Sequence, residues 1–351
     1  RDVVVIERDT LGSGSSAKPL GGVRATFSDP GNIVLGRRSL DAFERLDREG
    51  HDIGLRQVGY LFLCRSDIEV ANVEASVRVQ NSLGCDSRMV SPAEAAEINP
   101  FLDPDALVGA SFSPRDGYAQ PSKVVEVYAK AAVELGARIL ERTEVVSLEA
   151  DGAGIEVRTQ RGAVRADSIV ITAGAWSTRL GAMVGVDLPI EPVRRQIGFT
   201  PQSGGPHPVV PFTLDLSTTM YFHNHRDGML LGISNPGEQP GFQRSFSYNW
   251  VDDFDRAAEI IAPSLAHQPL EAGWAGLYEN TPDHNAMIGR DARDPRILYA
   301  TGFSGHGFLQ GPAVGELVRD LHLGRESFLD PTPFSAARFA GESMLAELHI
   351  I

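Results

Sequence analysis

Gly302, Gly305 and Gly307 enclose Ser304 and His306 in the stretch YATGFSGHGFLQGPAVGELVRDL (299–321). An apolar β-forming run ending at Thr301, a tight glycine turn and a helical pattern follow one another. The helix is expected to start near Gln310, with Pro312 in its first turn. A helix start of this kind presents free N–H groups and the positive end of a dipole. A ring system that becomes anionic on reduction would be stabilised there. Three further stretches carry compatible chemistry. VVVIE (3–7) places Glu7 at the end of a strand, where a carboxylate can accept both hydroxyls of a ribose. LGSGSS (11–16) offers backbone N–H groups without bulky Cβ atoms, suited to a diphosphate, and GGVR (21–24) repeats the theme with an arginine attached. ITAGAWS (171–177) ends a strand in Ala173, Gly174 and Ala175, small enough for a ligand to lie against the strand end.

Histidines supply the other candidates. His223 and His225 alternate on one strand and share a face; they could line a substrate cavity or act as base, or form a hydrogen-bonded structural pair. A metal site would need a third ligand, and nothing points to one. His306 sits in the glycine turn and His284 in TPDHN, both better placed. Arg194 and Arg195 precede a strand, and one of them could meet a substrate carboxylate or simply face solvent.

These stretches are separated by elements that must bring them together. Residues 2–7 read as a strand and 8–28 as a Gly/Ser-rich loop. Asp29 and Pro30 open a helix to about Gly50, with Leu35, Phe43 and Leu46 on one face. A strand at 58–66, a helix to about Gly84 and a capping-box pair Ser91/Glu94 follow. Next come a helix from about Ser122 to Leu135, a strand at 137–140, three short strands (TEVVSLEA, GIEVRTQ, AVRAD) and the strand 168–177. Beyond 190, EPVRRQIGFT, MYFHNHRDGMLLGIS and RSFSYN read as longer antiparallel strands, and Asp252–Ile261 as a helix. The order predicts an α/β protein: a Rossmann-like dinucleotide-binding domain with an inserted antiparallel-sheet (α+β) substrate domain. The expected partition is 1–60, 118–190 and 275–351 for the first, and 61–117 and 191–274 for the second.

Composition narrows the class. The 351 residues are 42% hydrophobic and 22% charged, ordinary for a globular enzyme of two domains. A formal net charge of −14 argues against a nucleic-acid partner or an anionic membrane surface. Two cysteines, Cys64 and Cys85, are too few for a disulfide framework and suit a reducing, cytoplasmic location. Lysine occurs only at Lys18, Lys123 and Lys130; all other fixed positive charge is arginine.

Taken jointly, VVVIERDTLGSGSS…GGVRATFSDP, ITAGAWS, WAGLYENTPDHNAMIG and GFSGHGF…GPAVGELVRDL resemble the D-amino-acid oxidase superfamily of FAD enzymes. They are most similar to its sarcosine oxidase β-subunit and proline dehydrogenase-like branch. The likeness covers nearly the whole chain and includes DPTPFSAARF (330–339).

The resemblance implies non-covalent FAD, because Gly276 stands where some members attach the flavin to a cysteine. It assigns Glu7 and Arg8 to the ribose side, and Ser13, Gly14, Ser15 and Ser16 to the phosphate side. Gly22, Val23 and Arg24 would lie beside the flavin ring, and Val145 would meet adenine. Ala173, Gly174 and Trp176 would lie near the ribityl chain. Gly302, Phe303, Ser304, Gly305, His306, Gly307 and Phe308 would form the flavin turn. In such proteins a strand–GxGxxG–helix piece of roughly 30 residues holds the pyrophosphate. This sequence opens at what reads as the following strand. It is therefore expected to lack the main phosphate cradle, to leave apolar sheet edges unpaired, and to hold FAD weakly.

The implied activity is oxidation of an amine or amino acid (sarcosine-, proline- or glycine-like) by hydride transfer to FAD. The catalytic candidates are His306, Arg24, His223 and His225. Oxidation of a 2-hydroxy acid, and a non-catalytic assembly role, are the alternatives. Monomeric sarcosine oxidases hold the substrate carboxylate with a lysine where Leu309 stands, and activate oxygen with another that aligns with Leu230. A dehydrogenase using a quinone, a dye-like carrier or another acceptor is therefore expected ahead of an oxidase using oxygen. A homo- or hetero-oligomer is compatible with the sequence.

Overall fold

The computed structural model describes residues 2–202, 208–340 and 347. Among these, eight strands form one large sheet in the order Ala272–Asn280, Glu191–Phe199, Gly228–Gly232, Tyr221–His225, Phe212–Asp215, Tyr60–Cys64, Gly109–Ser113, Arg88–Val90. Neighbours run antiparallel, except that Phe212–Asp215 runs parallel to Tyr60–Cys64.

Strand alternation gives this sheet two different faces. One carries Tyr60, Phe62, Ile197, Phe199, Phe212, Leu214, Tyr221 and Leu230, packed as an aromatic-rich cluster with Leu20 against it. The other carries Leu61, Leu63, Phe222, Met229 and Leu231. It is covered by Trp250 and by Phe254, Ala257, Ala258 and Ile261 of the Val251–Ile261 helix. The helices thus cover one face and leave the aromatic face for the rest of the chain.

The parallel elements are smaller. Val4–Ile6 pairs with Arg138–Leu140, and Ile169–Ile171 with Ile297–Thr301, which also pairs antiparallel with Met287–Arg290. They form two separate sheets. Val3, Val5 and Val170, on or beside the strands Val4–Ile6 and Ile169–Ile171, are 52%, 40% and 41% exposed. The strands Val145–Asp151, Gly154–Thr159 and Gly162–Ala166 make a meander beside them.

The Pro30–Arg48 helix starts as its sequence predicts. Asp29 accepts the Asn32 N–H, Pro30 occupies the first turn, and Leu35, Phe43 and Leu46 are buried. It packs on the Gly307–Leu323 helix, whose Ala313 N–H donates to Ser39 Oγ at 3.1 Å. Ser66 and Glu69 close a full capping box on Asp67–Ser82, and Ser91 caps Pro92–Ile98 through the Glu94 N–H.

Several expected boundaries move. RSFSYN (244–249) is not a strand. Its backbone is held by side chains of the neighbouring strand: Arg194 Nη1 donates to the Ser245 carbonyl, and Gln196 Oε1 accepts the Ser247 N–H. The helix expected near Gln310 begins at Gly307, so Pro312 lies inside it and not in its first turn. The start is set by the left-handed Gly305 immediately upstream, which ends the turn three residues earlier than proline suggests. Gly22–Val23 pairs with Gly117–Tyr118 inside a segment read as loop, and the strand expected over 168–177 stops at Ile171. Ala272–Asn280 is paired along its whole length with Glu191–Phe199, so one strand runs across position 275.

Candidate cofactor cavity

The glycine turn is built by conformations that need glycine. Gly302 and Gly305 have φ of +70° and +95°. A Cβ on Gly302 would come within 2.5 Å of Thr281 Cγ2, and one on Gly305 within 2.4 Å of the Tyr278 ring. Ser304 between them is also left-handed, at φ +50°. Its strain is offset by its hydroxyl, which accepts the Thr281 N–H at 3.1 Å. His306 then caps the Gly307–Leu323 helix, so the first-turn N–H groups follow directly on the turn.

Across from this turn runs Gly21–Phe27. Arg24 is 2% exposed, with its guanidinium 4.1 Å from the Phe27 ring centre, 5.4 Å from Phe62 and 5.7 Å from Tyr60. Its Nη1 donates to the Thr26 carbonyl. Below it Asp116, 1% exposed, accepts the Ala25 N–H at 3.1 Å and the Thr26 hydroxyl at 2.9 Å. Burial pushes the Asp116 carboxyl up to about 6, against those hydrogen bonds and the Arg24 charge.

The aromatic face of the large sheet supplies the third wall. Tyr60 stacks on Phe212 at 4.3 Å, and Tyr278 faces the Arg195 guanidinium at 5.3 Å. Burial raises the phenols of Tyr60, Tyr221 and Tyr278, so all three are hydrogen-bonding hydroxyls at neutral pH. Together these walls line a small cavity among Gly22, Arg24, Tyr60, Tyr278, Ser304, Gly305, His306, Phe308 and Leu309.

A wider groove opens beside the cavity. It is lined by Arg8, Asp9, Ser13, Lys18, Arg142, Gln160 and Arg244, four of them cationic in a protein of net charge −14. The Trp176 ring lies between the guanidinium groups of Arg8, at 4.5 Å, and Arg244, at 5.5 Å. The Ser13 hydroxyl is buried with no hydrogen-bond partner. An orphaned donor in a cationic groove is what a diphosphate ligand would satisfy. The loop that carries it is sewn to the large sheet by Ser15 Oγ to the Leu277 carbonyl, 2.8 Å, and Trp274 Nε1 to the Lys18 carbonyl, 3.0 Å. Ala173, Gly174 and Trp176 meet the glycine turn where Thr301 Oγ1 lies 3.3 Å from the Gly174 carbonyl. Glu7 accepts the Asp9 N–H at 2.7 Å, and Val145 opens the meander strand with a bulge before Ser147. Gly14 and Ser16 lie in the loop with Ser13.

The histidines separate. His306 lines the cavity, its ring edge-on to Phe27 at 5.0 Å. His223 and His225 do share the aromatic face, but neither lines the cavity. His223 is pinned: Nε2 lies 3.0 Å from the Leu20 carbonyl, Nδ1 2.7 Å from the Asn224 carbonyl, and the ring stacks on Tyr118 at 4.5 Å. Burial drives its pKa down to about 4, against both carbonyls. His225 rests on Phe199 at 4.4 Å. Cys64 lies in the core, and neither Cys64 nor Cys85 lines the cavity or the groove. Tyr60, Tyr278, Asp116 and Glu279 were not singled out from sequence. The alternation in LYEN (277–280), which sends Tyr278 and Glu279 to opposite faces of a strand, was the available signal.

The DAO family, described as FAD dependent oxidoreductase, matches residues 1–321. The chain belongs to this family. Glycine oxidase of Geobacillus kaustophilus (strain HTA426) is 30% identical over 350 residues, covering 97% of this chain and 91% of that protein. Mitochondrial dimethylglycine dehydrogenase of Mus musculus is 28% identical over 94% of this chain and 40% of its own length. Among solved structures, L-proline dehydrogenase from P. horikoshii superposes with a TM-score of 0.90 at 32% identity, covering 97% of this chain and 91% of that one. The DAO-family protein described here is an α/β flavoprotein oxidoreductase whose cofactor is FAD. Among its described residues no helix is long and apolar enough to cross a membrane.

Proposed function

We propose that this DAO-family protein oxidises a small amine that carries a carboxylate, an amino acid or N-alkyl amino acid. The observation that carries the reading is the buried Arg24 in a small cavity whose described lining holds no acidic side chain. A buried guanidinium selects an anion and binds a carboxylate through its planar fork. The same lining offers no counter-charge to an ammonium, so the amine enters neutral and keeps its lone pair. Names among the similar proteins, glycine oxidase and L-proline dehydrogenase, describe substrates of this kind.

In this reading Gly302–Phe308, Gly22 and Val23 flank the flavin ring. Ala173, Gly174 and Trp176 hold the ribityl side. Glu7, Arg8 and Ser13–Ser16 hold the ribose and phosphates, and Val145 meets adenine. Held there non-covalently, FAD would supply the two-electron acceptor for a hydride from the carbon bearing nitrogen. The chain's residues do the remaining work. Arg24 fixes the carboxylate, and Tyr60 and Tyr278 donate hydrogen bonds to it or to the amine. Leu309 and Phe308 exclude water. His306, on the cavity wall, is placed to take the amine proton. The oxidised substrate leaves as an imine, which water hydrolyses to a carbonyl compound and an amine or ammonia. His223 holds the Leu20 carbonyl and positions the Pro19–Gly22 wall instead of moving a proton.

The reduced cofactor is proposed to pass electrons to a quinone or dye-like carrier faster than to oxygen. Leu230 is buried in the aromatic face, and Lys18, the one lysine near the site among described residues, points its amine at the Ala275 carbonyl, 3.4 Å away in the outer groove. Anaerobic bleaching of the flavin spectrum tests the substrate class. Amino acids should bleach it and 2-hydroxy acids should not; the reverse pattern, or no bleaching by either, rejects the reading. Rapid peroxide-forming turnover unmatched by any dye would reject the choice of acceptor.

A further inference from the structure

Past Tyr299 the strands Ile169–Ile171 and Ile297–Thr301 part, because their pairing ends at Ile171 with Tyr299. The two small-residue segments that the flavin reading places under the cofactor, Ala173–Trp176 and Gly302–Phe308, lie on either side of that fork. One side chain fills it. Glu279 leaves the end of the strand Ala272–Asn280 on the face opposite Tyr278. Its Oε1 accepts the Phe303 N–H at 3.3 Å, and the Gly302 N–H also bonds to the carboxyl. Its Oε2 stands 3.4 Å from Thr301 Oγ1 and only 2.8 Å from where a Cβ on Gly174 would sit. The backbone carbonyl of Glu279 accepts the Ser304 N–H at 3.3 Å. Thr301 continues the network to Ser177 Oγ at 2.8 Å.

We propose that Glu279 is a positioning residue for FAD, its carboxylate clamping the Gly174 segment to the Gly302–Phe303 turn so that both present their backbones to the cofactor. All three groups facing the carboxyl donate hydrogen bonds, so the ionised form is the better clamp. Burial raises its pKa to about 7, against those bonds, which places the change of form in the neutral range. The groups that bond the carboxyl are the Phe303 and Gly302 N–H groups and the Thr301 hydroxyl; the nearby titratable and charged side chains, Tyr278 on its own strand, Arg195 at 5.3 Å from the Tyr278 ring and His306 on the turn, belong to the opposite, cavity-facing side.

The test removes flavin from the holoprotein and titrates it back, following the quenching of flavin fluorescence from pH 6 to 9. The wild type should bind FAD more tightly as pH rises through about 7. E279Q, isosteric but unable to ionise, should bind about tenfold more weakly at pH 8.5 and lose the step near 7. T301V removes a donor that lowers the carboxyl pKa and should move the step to higher pH. E279Q retaining the wild-type pH profile, whatever its affinity, assigns the step to His306 or another group and overturns the proposal. So does a step in T301V that stays at the wild-type pH. A loss of affinity in E279Q that is equal at every pH, with the step preserved, marks a purely structural contact and overturns it equally.

Discussion

Gly305 and Tyr278 are in direct backbone-to-ring contact: a single Cβ on Gly305 would sit 2.4 Å from the Tyr278 ring. The glycine turn and the last strand of the large sheet are therefore matched to within one methyl group. Gly305→Ala must displace the ring and also hold alanine at φ +95°, a backbone cost of about 1–2 kcal/mol before any clash. The variant should fold with a lowered melting temperature and retain FAD at least tenfold less tightly, read from the flavin-to-protein absorbance ratio after gel filtration. Wild-type occupancy would show that the contact does not shape the cavity.

Arg24 is the proposed carboxylate anchor. Charge-assisted hydrogen bonds of this kind contribute about 1.5–3 kcal/mol, so Arg24→Gln should raise the substrate concentration for half-maximal bleaching by roughly 10–200-fold. Arg24→Lys should recover only part of this, because an ammonium lacks the planar fork. Anaerobic titration with the best amino acid, set against the same compound as its methyl ester, isolates the carboxylate contribution. The ester should bind equally to wild type and variant.

Asp116 faces Arg24 from beneath, with its carboxyl raised to about 6. As pH falls through that value it takes up a proton and Arg24 loses a neighbouring negative charge. A substrate carboxylate should therefore bind more tightly as pH falls through about 6, a step that is absent in Asp116→Asn. The stability sign is separate. A carboxyl raised above its unfolded value stabilises the fold below that unfolded value, near 4, and this contribution is lost as pH rises through about 6. Asp116→Asn should therefore steepen the fall in melting temperature from pH 7 to pH 4.5.

His223 is buried neutral, its pKa lowered to about 4. A histidine lowered in this way contributes stability above its unfolded pKa near 6.5, and loses it as pH falls toward 4. His223→Gln keeps one hydrogen-bonding group and removes the titration. It should flatten the fall in melting temperature from pH 7 to pH 4.5 and leave the flavin bleaching rate within about threefold of wild type. A loss of rate beyond about a hundredfold, as for a general base, would assign His223 to proton transfer.

Elements with local causes were legible before the structure. Asp29–Pro30 opens its helix, Ser66 and Ser91 cap theirs, and the alternation YFHNH places His223 and His225 on one face. The motifs that mark the family are local too, because a dinucleotide is bound by turns whose glycines have steric reasons to be glycine. Gly302 and Gly305 are such positions. Where a local marker competed with a tertiary contact, the contact prevailed. Pro312 suggested a helix start that the left-handed Gly305 places earlier, and RSFSYN kept its strand-like pattern but gave its backbone bonds to Arg194 and Gln196.

The sequence by itself determined the cofactor, the glycine turn and the family, since each rests on residues near one another in the chain. Which groups share the cavity was decided only by tertiary structure. Tyr60 and Tyr278 come from distant strands, and their meeting depends on the register of an eight-stranded sheet with non-local pairings such as Phe212 with Tyr60. A one-residue slip in that register would turn each side chain to the opposite face. The unusual proton affinities of Asp116, His223 and Glu279 arise the same way. Each is set by burial against partners far away in sequence, and burial is a property of the folded packing alone.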